Sequence, residues 1–199
     1  MQQRSIQTKN RIMDAAILLF SKDGYQATGI AEICETANVS KGAFYHHFQS
    51  KQSIFIAILH AWLEGIDTSL NTSRDSSSSI PEAFFQMSLL LEGIFNQASG
   101  HLPMFLEFWT QANHDPLVWH ELIEPYHRYR NYFGSLFQEG VTKKTFKPVD
   151  PDIAAHALVS LALGLLLQSL LDPEGAQWGN VSHQTINLFL EGLKINKKE

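Results

Sequence analysis

From Ile153 to Leu171 the chain runs for nineteen residues without a formal charge. A helix this apolar must be covered on most sides, by lipid or by protein. His156, Ser160, Gly164 and Gln168 recur every fourth residue and give it one small or polar stripe. Asp150, Asp152, Asp172 and Glu174 flank it, with no Lys or Arg directly beside either end. Stripe and flanks favour burial between two protein layers over a bilayer. One layer is the helix's own domain, and the other is a second copy of the chain in a two-fold dimer. The interface is expected to use Val159, Leu163, Leu166 and Leu170, with Ile186, Phe189 and Leu193 from the amphipathic segment that follows.

The rest of the sequence repeats the same period. No strand alternation is sustained, whereas Ile12, Ala16, Leu19 and Phe20 recur at helical intervals and Asp23-Gly24 stops them. A short second helix is expected from a Thr28 cap, and a third from Lys41 to His47 behind Ser40. Ser50 caps a fourth helix, over 51–70, which connects two parts of the chain. Asn71 to Ser79 is expected to be a loop. Helices then follow over Ala83–Gln97, beyond Pro103, over Leu117–Glu139 with Pro125 as a kink or restart, and from about Ser182 to Lys194. The fold class is all-α, with a small domain over residues 1–52 and a larger one over 53–199.

Charge separates these parts. The 199 residues carry −5 in total, yet residues 1–60 hold six bases against four acids and the remainder nine against sixteen. A +2 head on a −7 body suits an anionic partner for the head only. The single cysteine, Cys34, rules out an internal disulfide and cysteine-based zinc sites, and its place among apolar positions reads as an inert packed thiol. With no apolar leader after Met1, a cytoplasmic setting is expected.

Three short helices in under fifty residues, the last two joined by Ala37-Asn38-Val39-Ser40, describe a helix-turn-helix. Asn38 tolerates the left-handed backbone that such a turn demands. The third helix then offers a set suited to duplex DNA. Gly42 and Ala43 are small enough for close approach, Lys41 reaches a guanine edge or a phosphate, and Tyr45, His46 and His47 donate hydrogen bonds at phosphate height.

The string Gly24-Tyr25-x-Ala27-Thr28-x-Ile30-x-x-Ile33-Cys34-x-x-Ala37-Asn38-Val39-Ser40-Lys41-Gly42-x-x-Tyr45-x-His47-Phe48-x-x-Lys51 resembles the DNA-binding domain of the TetR family of bacterial regulators. It departs from the family's commonest pattern at Asn38, where Gly is usual, and at Cys34, where Ala is usual. The resemblance implies an all-α homodimer whose larger domain binds a small molecule. It also implies phosphate contacts by Thr28, Ser40, Tyr45, His47 and Lys51, and base-facing positions at Lys41, Gly42, Ala43 and His46.

The body is rich in rings: twelve of the 22 aromatic residues lie within 81–140. An apolar cavity for a small hydrophobic or aromatic effector is expected from Met87, Leu91, Phe105, Phe108, Trp109, Tyr129, Phe133, His156 and Ser160. An inward-facing Glu107 would favour a cationic ligand. His120, Glu124 and His127 have spacing that a zinc site could use, but Pro125 interrupts them, and no metal or cofactor is expected. No nucleophile elbow, Walker loop or HExxH motif is present, so an enzyme is not expected. The expected function is an effector-released repressor on a palindromic double-stranded operator. The alternative is an effector-independent DNA-binding adapter of the same fold.

Overall fold

The computed structural model describes the backbone of residues 2–97 and 102–195 and the side chains of residues 3–90, 104 and 106–195. Among the described residues there are nine helices and no named strand. They are α1 (Gln2–Asp23), α2 (Ile30–Thr36), α3 (Lys41–His47), α4 (Lys51–Asp75), α5 (Ile80–Gln97), α6 (Leu102–Ala112), α7 (Pro116–Thr142), α8 (Pro151–Leu171) and α9 (Trp178–Leu193).

Several boundaries differ from the sequence reading, each for a local reason. Gly29, not Thr28, caps α2, and its N–H donates to the Glu32 carboxylate at 2.8 Å. α4 continues five residues past the expected end. Ser73 is buried there, and the Arg74 guanidinium meets both oxygens of Glu139 at 3.1 and 3.2 Å, so tertiary contacts override a loop-like composition. Only Ser76–Ser79 break the chain, and Ser78 ties back to the Glu82 carboxylate to start α5. α7 passes through Pro125 without a restart, forfeiting only one backbone bond, to the carbonyl four residues back. α9 begins at Trp178, four residues early. Asp150 caps α8 by accepting from the N–H groups of Asp152 and Ile153.

The chain divides into two compact units, residues 1–64 with 99–122, and residues 65–98 with 123–199. The expected boundary at residue 52 ignores the contribution of α6 and the first turns of α7 to the first unit. Its core shows why they belong there: Phe55 packs on Phe20, on Tyr25, and at 4.4 Å on Phe108 of α6. The second unit is built around Phe84, Phe137 and Phe146, with Phe84 and Phe137 stacked at 4.6 Å. Ile186 and Leu190 of α9 and Ala154, Ala155 and Leu158 of α8 close this core. A bridge between Phe146 and Lys194 ties the loop before α8 to the segment after α9.

By length and composition alone, α4 and α8 are apolar enough to cross a membrane. One side of α8, including Leu158, Leu165 and Leu166, is buried, with Leu158 in the second unit's core.

Candidate nucleic-acid interface

α1, α2 and α3 pack mutually. Ile12, Ala16, Phe20, Ile33 and Phe44 are removed from water between them and supply the adhesive. The angle between α2 and α3 is set by the turn. Asn38 takes φ 51°, the left-handed conformation the sequence pointed to, and the Val39 N–H donates to the Cys34 carbonyl at 2.9 Å. Ser40 then caps α3, its hydroxyl oxygen accepting from the Ala43 N–H at 3.1 Å.

Two cations hold this geometry from behind, and the sequence singled out only one of them. Arg11 of α1 donates to the carbonyl of Ala37 at 2.5 and 3.1 Å and to that of Asn38 at 2.5 Å. It therefore satisfies carbonyls left over at the end of α2. The Lys51 ammonium donates to the carbonyls of Tyr25, Gln26 and Thr28 at 2.8, 3.3 and 3.0 Å and lies over the Tyr25 ring. An ammonium has three donors, and all three are committed to the chain's own backbone. Burial pushes its pKa down, partly countered by Glu107. Lys51 was expected at a phosphate, but here it ties the loop between α1 and α2. Thr28 is likewise turned inward: it is 2% exposed, and its hydroxyl donates to the Gly24 carbonyl at 2.8 Å.

The outward face of α3 consists of Lys41, Gly42, Tyr45 and His46, all exposed, with Ala43 and His47 half-buried. Phe44 is fully buried and anchors the helix. A Cβ at Gly42 would find nothing closer than the Ser40 hydroxyl at 3.8 Å, so this end of the helix is bare. His47 sits beside His46, with ring centroids 5.0 Å apart. Burial of His47, then His46 and then Lys9, all press its pKa below the usual imidazole value. Cys34 is buried, and burial raises its thiol pKa, opposed weakly by Lys41, which is the environment of an unreactive thiol.

The same unit contains a polar strap that sequence periodicity could not reveal. Gln26, in the loop after α1, donates to Gln111 of α6 at 3.0 Å, and Gln111 donates to Glu107 at 3.0 Å. Gln52 of α4 donates to Asp115 at 2.5 Å, and Asp115 also caps α7 through the Leu117 N–H. His60 and Glu121 meet at 2.6 Å. Glu107, expected as a cavity carboxylate if it faced inward, is thus engaged beside the α1–α2 loop.

The expected effector residues are dispersed. Phe108 is core of the first unit, and Trp109 is exposed on the same helix. Met87 lies in the second unit's core, with Tyr129 and Phe133 packed against it. His156 is half-buried and Ser160 exposed. The side chains of Leu91 and Phe105 lie outside the described residues. Tyr129 shares hydrogen bonds with Asp67 and Arg128, and burial, then Asp67, drives its phenol pKa well above normal. No group of three metal-ligating side chains gathers among the described residues.

Of the expected interface residues, Ile186 and Leu166 are buried, and Val159, Leu163, Leu170, Phe189 and Leu193 are half-buried. The apolar side chains left in water on these helices are instead Ile153 at 65%, Leu167 at 47%, Leu171 at 76% and Leu188 at 76%. The large apolar side chains that α8 and α9 leave exposed therefore differ from the seven expected at an interface, lying about one position along each helix.

Comparison with known proteins agrees with this architecture. Residues 12–58 match the profile of bacterial regulatory proteins of the tetR family, and residues 87–190 match that of the BetI-type transcriptional repressor C-terminal domain. The chain is 26% identical over 163 residues to the uncharacterized HTH-type transcriptional regulator YhgD of Bacillus subtilis, covering 81% of this chain and 84% of that one. It is 29% identical over 99 residues to the biofilm operon icaADBC negative transcriptional regulator IcaR of Staphylococcus aureus, about half of this chain and 52% of that one. In fold it is similar to a transcriptional regulator from Saccharomonospora viridis solved in complex with choline, with TM-score 0.78, 21% identity, and coverage of 92% and 95%. With a tetR-type segment around α2 and α3 and a second profile spanning more than half its length behind it, the chain belongs to the TetR family of bacterial transcriptional regulators.

Proposed function

We propose that this protein is a homodimeric repressor that binds a roughly palindromic operator through α3 and is released by a small organic effector bound in its second unit. The observation that carries the reading is the bare, outward α3 face of Lys41, Gly42, Tyr45 and His46 on a turn clamped from behind by Arg11. A rigid frame and a small leading surface are what insertion into a major groove requires. Two copies would address half-sites about 34–36 Å apart.

The proposed interface is the unpartnered face of α8. Ile153, Ala157, Ser160, Gly164, Leu167 and Leu171 follow a 4-3-4-3-4 spacing, with Leu188 on α9 also exposed. That spacing is a helix–helix seam, and Gly164, with nothing within 4 Å of an added Cβ, lets a second helix approach closely.

For the effector, Met87, Tyr129, Phe133 and His156 are the retained candidates. The neighbour solved in complex with choline supports a small organic cation as the ligand. Coupling would use the strap at α6 and the start of α7. A ligand that favours one arrangement of α7 would shift Asp115 and hence Gln52 and α4, and typical couplings of this kind are ~1–3 kcal/mol.

The test is a mobility-shift titration with the promoter region adjoining the protein's own gene. Retardation at low salt that is lost in a Lys41→Ala/Tyr45→Ala double variant supports the reading. No retardation of any promoter fragment would sink it.

A further inference from the structure

The second unit holds three arginines, and each faces a carboxylate on another helix. Arg74 reaches both oxygens of Glu139, at 3.1 and 3.2 Å. Arg130 stands 3.8 Å from Asp152. Arg128 differs from both. It meets Asp67 of α4 at 2.7 Å through one nitrogen, and its guanidinium also lies over the Tyr129 ring, 5.3 Å from the centroid. Among the described residues it is the one arginine of the three with a ring beneath it. The Tyr129 hydroxyl completes the set, donating to Asp67 and accepting from Arg128.

A carboxylate, an aromatic face and a phenol hydroxyl gathered around a charged group are the parts of an organic-cation site. Here they surround a cation that the chain itself supplies. The two halves of the arrangement are held differently. Tyr129 packs against the second unit's core, and so does Ile66, the neighbour of Asp67 on α4. The Arg128 side chain is 55% exposed and that of Asp67 35% exposed, so the pair is open to solvent. An ion pair this open is weak, because water screens it and a long side chain must be held in one geometry. The receptor half is therefore fixed and the cation that fills it is loosely held. No three metal-ligating side chains gather among the described residues. One carboxylate beside a ring suits an alkylammonium group, which the ring face attracts, better than a bare metal ion, which needs several oxygen ligands.

We propose that Asp67 and Tyr129 form a binding site for a small alkylammonium cation, and that Arg128 fills this site until the ligand displaces it. This rests on the effector reading of the second unit and gives that reading a counter-charge, a ring and a displaced residue. Within the unit, the exchange also unties one of the struts between α4 and α7 and leaves the other, Arg74 to Glu139, in place.

The experiment titrates the full-length protein with tetramethylammonium chloride by NMR, with sodium chloride holding the ionic strength and tert-butanol as a neutral probe of similar size. Wild type is expected to prefer the ammonium to tert-butanol and to show nuclear Overhauser contacts between its methyl protons and the Tyr129 ring. Arg128→Gln should tighten binding by about two- to five-fold, the range to which the strength of an exposed ion pair corresponds. Asp67→Asn should weaken it by roughly ten-fold, as loss of one charge at contact distance in a half-solvated site implies. Tyr129→Phe should keep the preference for the ammonium, whereas Tyr129→Leu should abolish it. Arg130→Gln, which removes an arginine with no ring beneath it, should leave the affinity unaltered. Wild-type affinity in Asp67→Asn, no tightening in Arg128→Gln, or no ammonium binding by either wild type or Arg128→Gln overturns this inference and leaves the effector reading to other ligands. Ammonium binding that follows the expected variant pattern but leaves a protein–duplex complex intact supports the site and overturns release through it.

Discussion

In the unit that carries α3, cations reach backbone: Arg11 grips the carbonyls of Ala37 and Asn38, and Lys51 those of Tyr25, Gln26 and Thr28. Among the described residues, the unit that carries α8 and α9 has one such bond, from Lys147 to the Gly192 carbonyl at 2.8 Å, and is filled mainly by rings, as the first unit is around Phe55: Phe84, Phe137, Phe146 and Phe189 meet face-on, tilted or edge-on. The first arrangement fixes where the main chain goes, because a carbonyl has one position. The second fixes only that a volume is filled, which several combinations of apolar side chains can do. A surface that must match the invariant spacing of a duplex needs the former. A unit that has only to fill its interior tolerates the latter.

The largest expected effect probes the ring-built unit. Phe137→Ala removes a fully buried ring from the centre of its core and should cost about 3–5 kcal/mol in urea denaturation. If the loss is much smaller, the rings are not what holds this unit. The complementary test leaves stability alone and attacks function. Gly42→Glu places a carboxylate in open space on the α3 face, so melting should be unaltered while duplex binding falls by roughly a hundred-fold or more, since like charges brought together cost several kcal/mol. A normal titration in that variant would place the interface elsewhere.

Gly140→Ala sharpens the packing side. An added Cβ there would collide with the fully buried Phe146 ring, and a cost of about 1–3 kcal/mol is expected by thermal denaturation. Arg11→Ala sharpens the clamped side. About 1–2 kcal/mol is expected from losing hydrogen bonds to a charged donor. The loss should appear as faster amide exchange around Asn38 rather than throughout the chain.

The smallest effect concerns Glu139, whose carboxyl is held below its usual pKa by Lys143 and then by Arg74, against the opposing effect of burial. A depressed folded pKa stabilises above the unfolded value, and that contribution disappears as pH falls through the folded value. Glu139→Gln should therefore slightly lower the melting temperature at neutral pH and leave it nearly unaltered in strong acid.

Much of the fold was legible because its determinants are local. The span Lys41–His47 and the left-handed Asn38 follow from a capping serine and a turn of four residues. The same locality explains the failures. Asn71 to Asp75 look like a loop until Arg74 finds Glu139, 65 residues away. Lys51 and Thr28 are polar residues near the expected DNA face, and nothing in the sequence order says that three carbonyls and the Gly24 oxygen have claimed them. On α8 and α9, Leu and Ile occupy so many positions that the inner face cannot be told from the outer one. Only packing shows that Leu166 is inside and Leu167 outside. Gln26–Gln111 is a bond between two uncharged amides and has no signal in composition or period.

The tripod that Lys51 makes on three carbonyls has an evolutionary consequence. An ammonium points its three hydrogens as a tripod, whereas the five donors of arginine all lie in one plane and cannot copy that arrangement, so the identity of this residue answers to the interior. Exposed positions of α3 can then be exchanged in descendants of such a protein with the scaffold behind them left untouched.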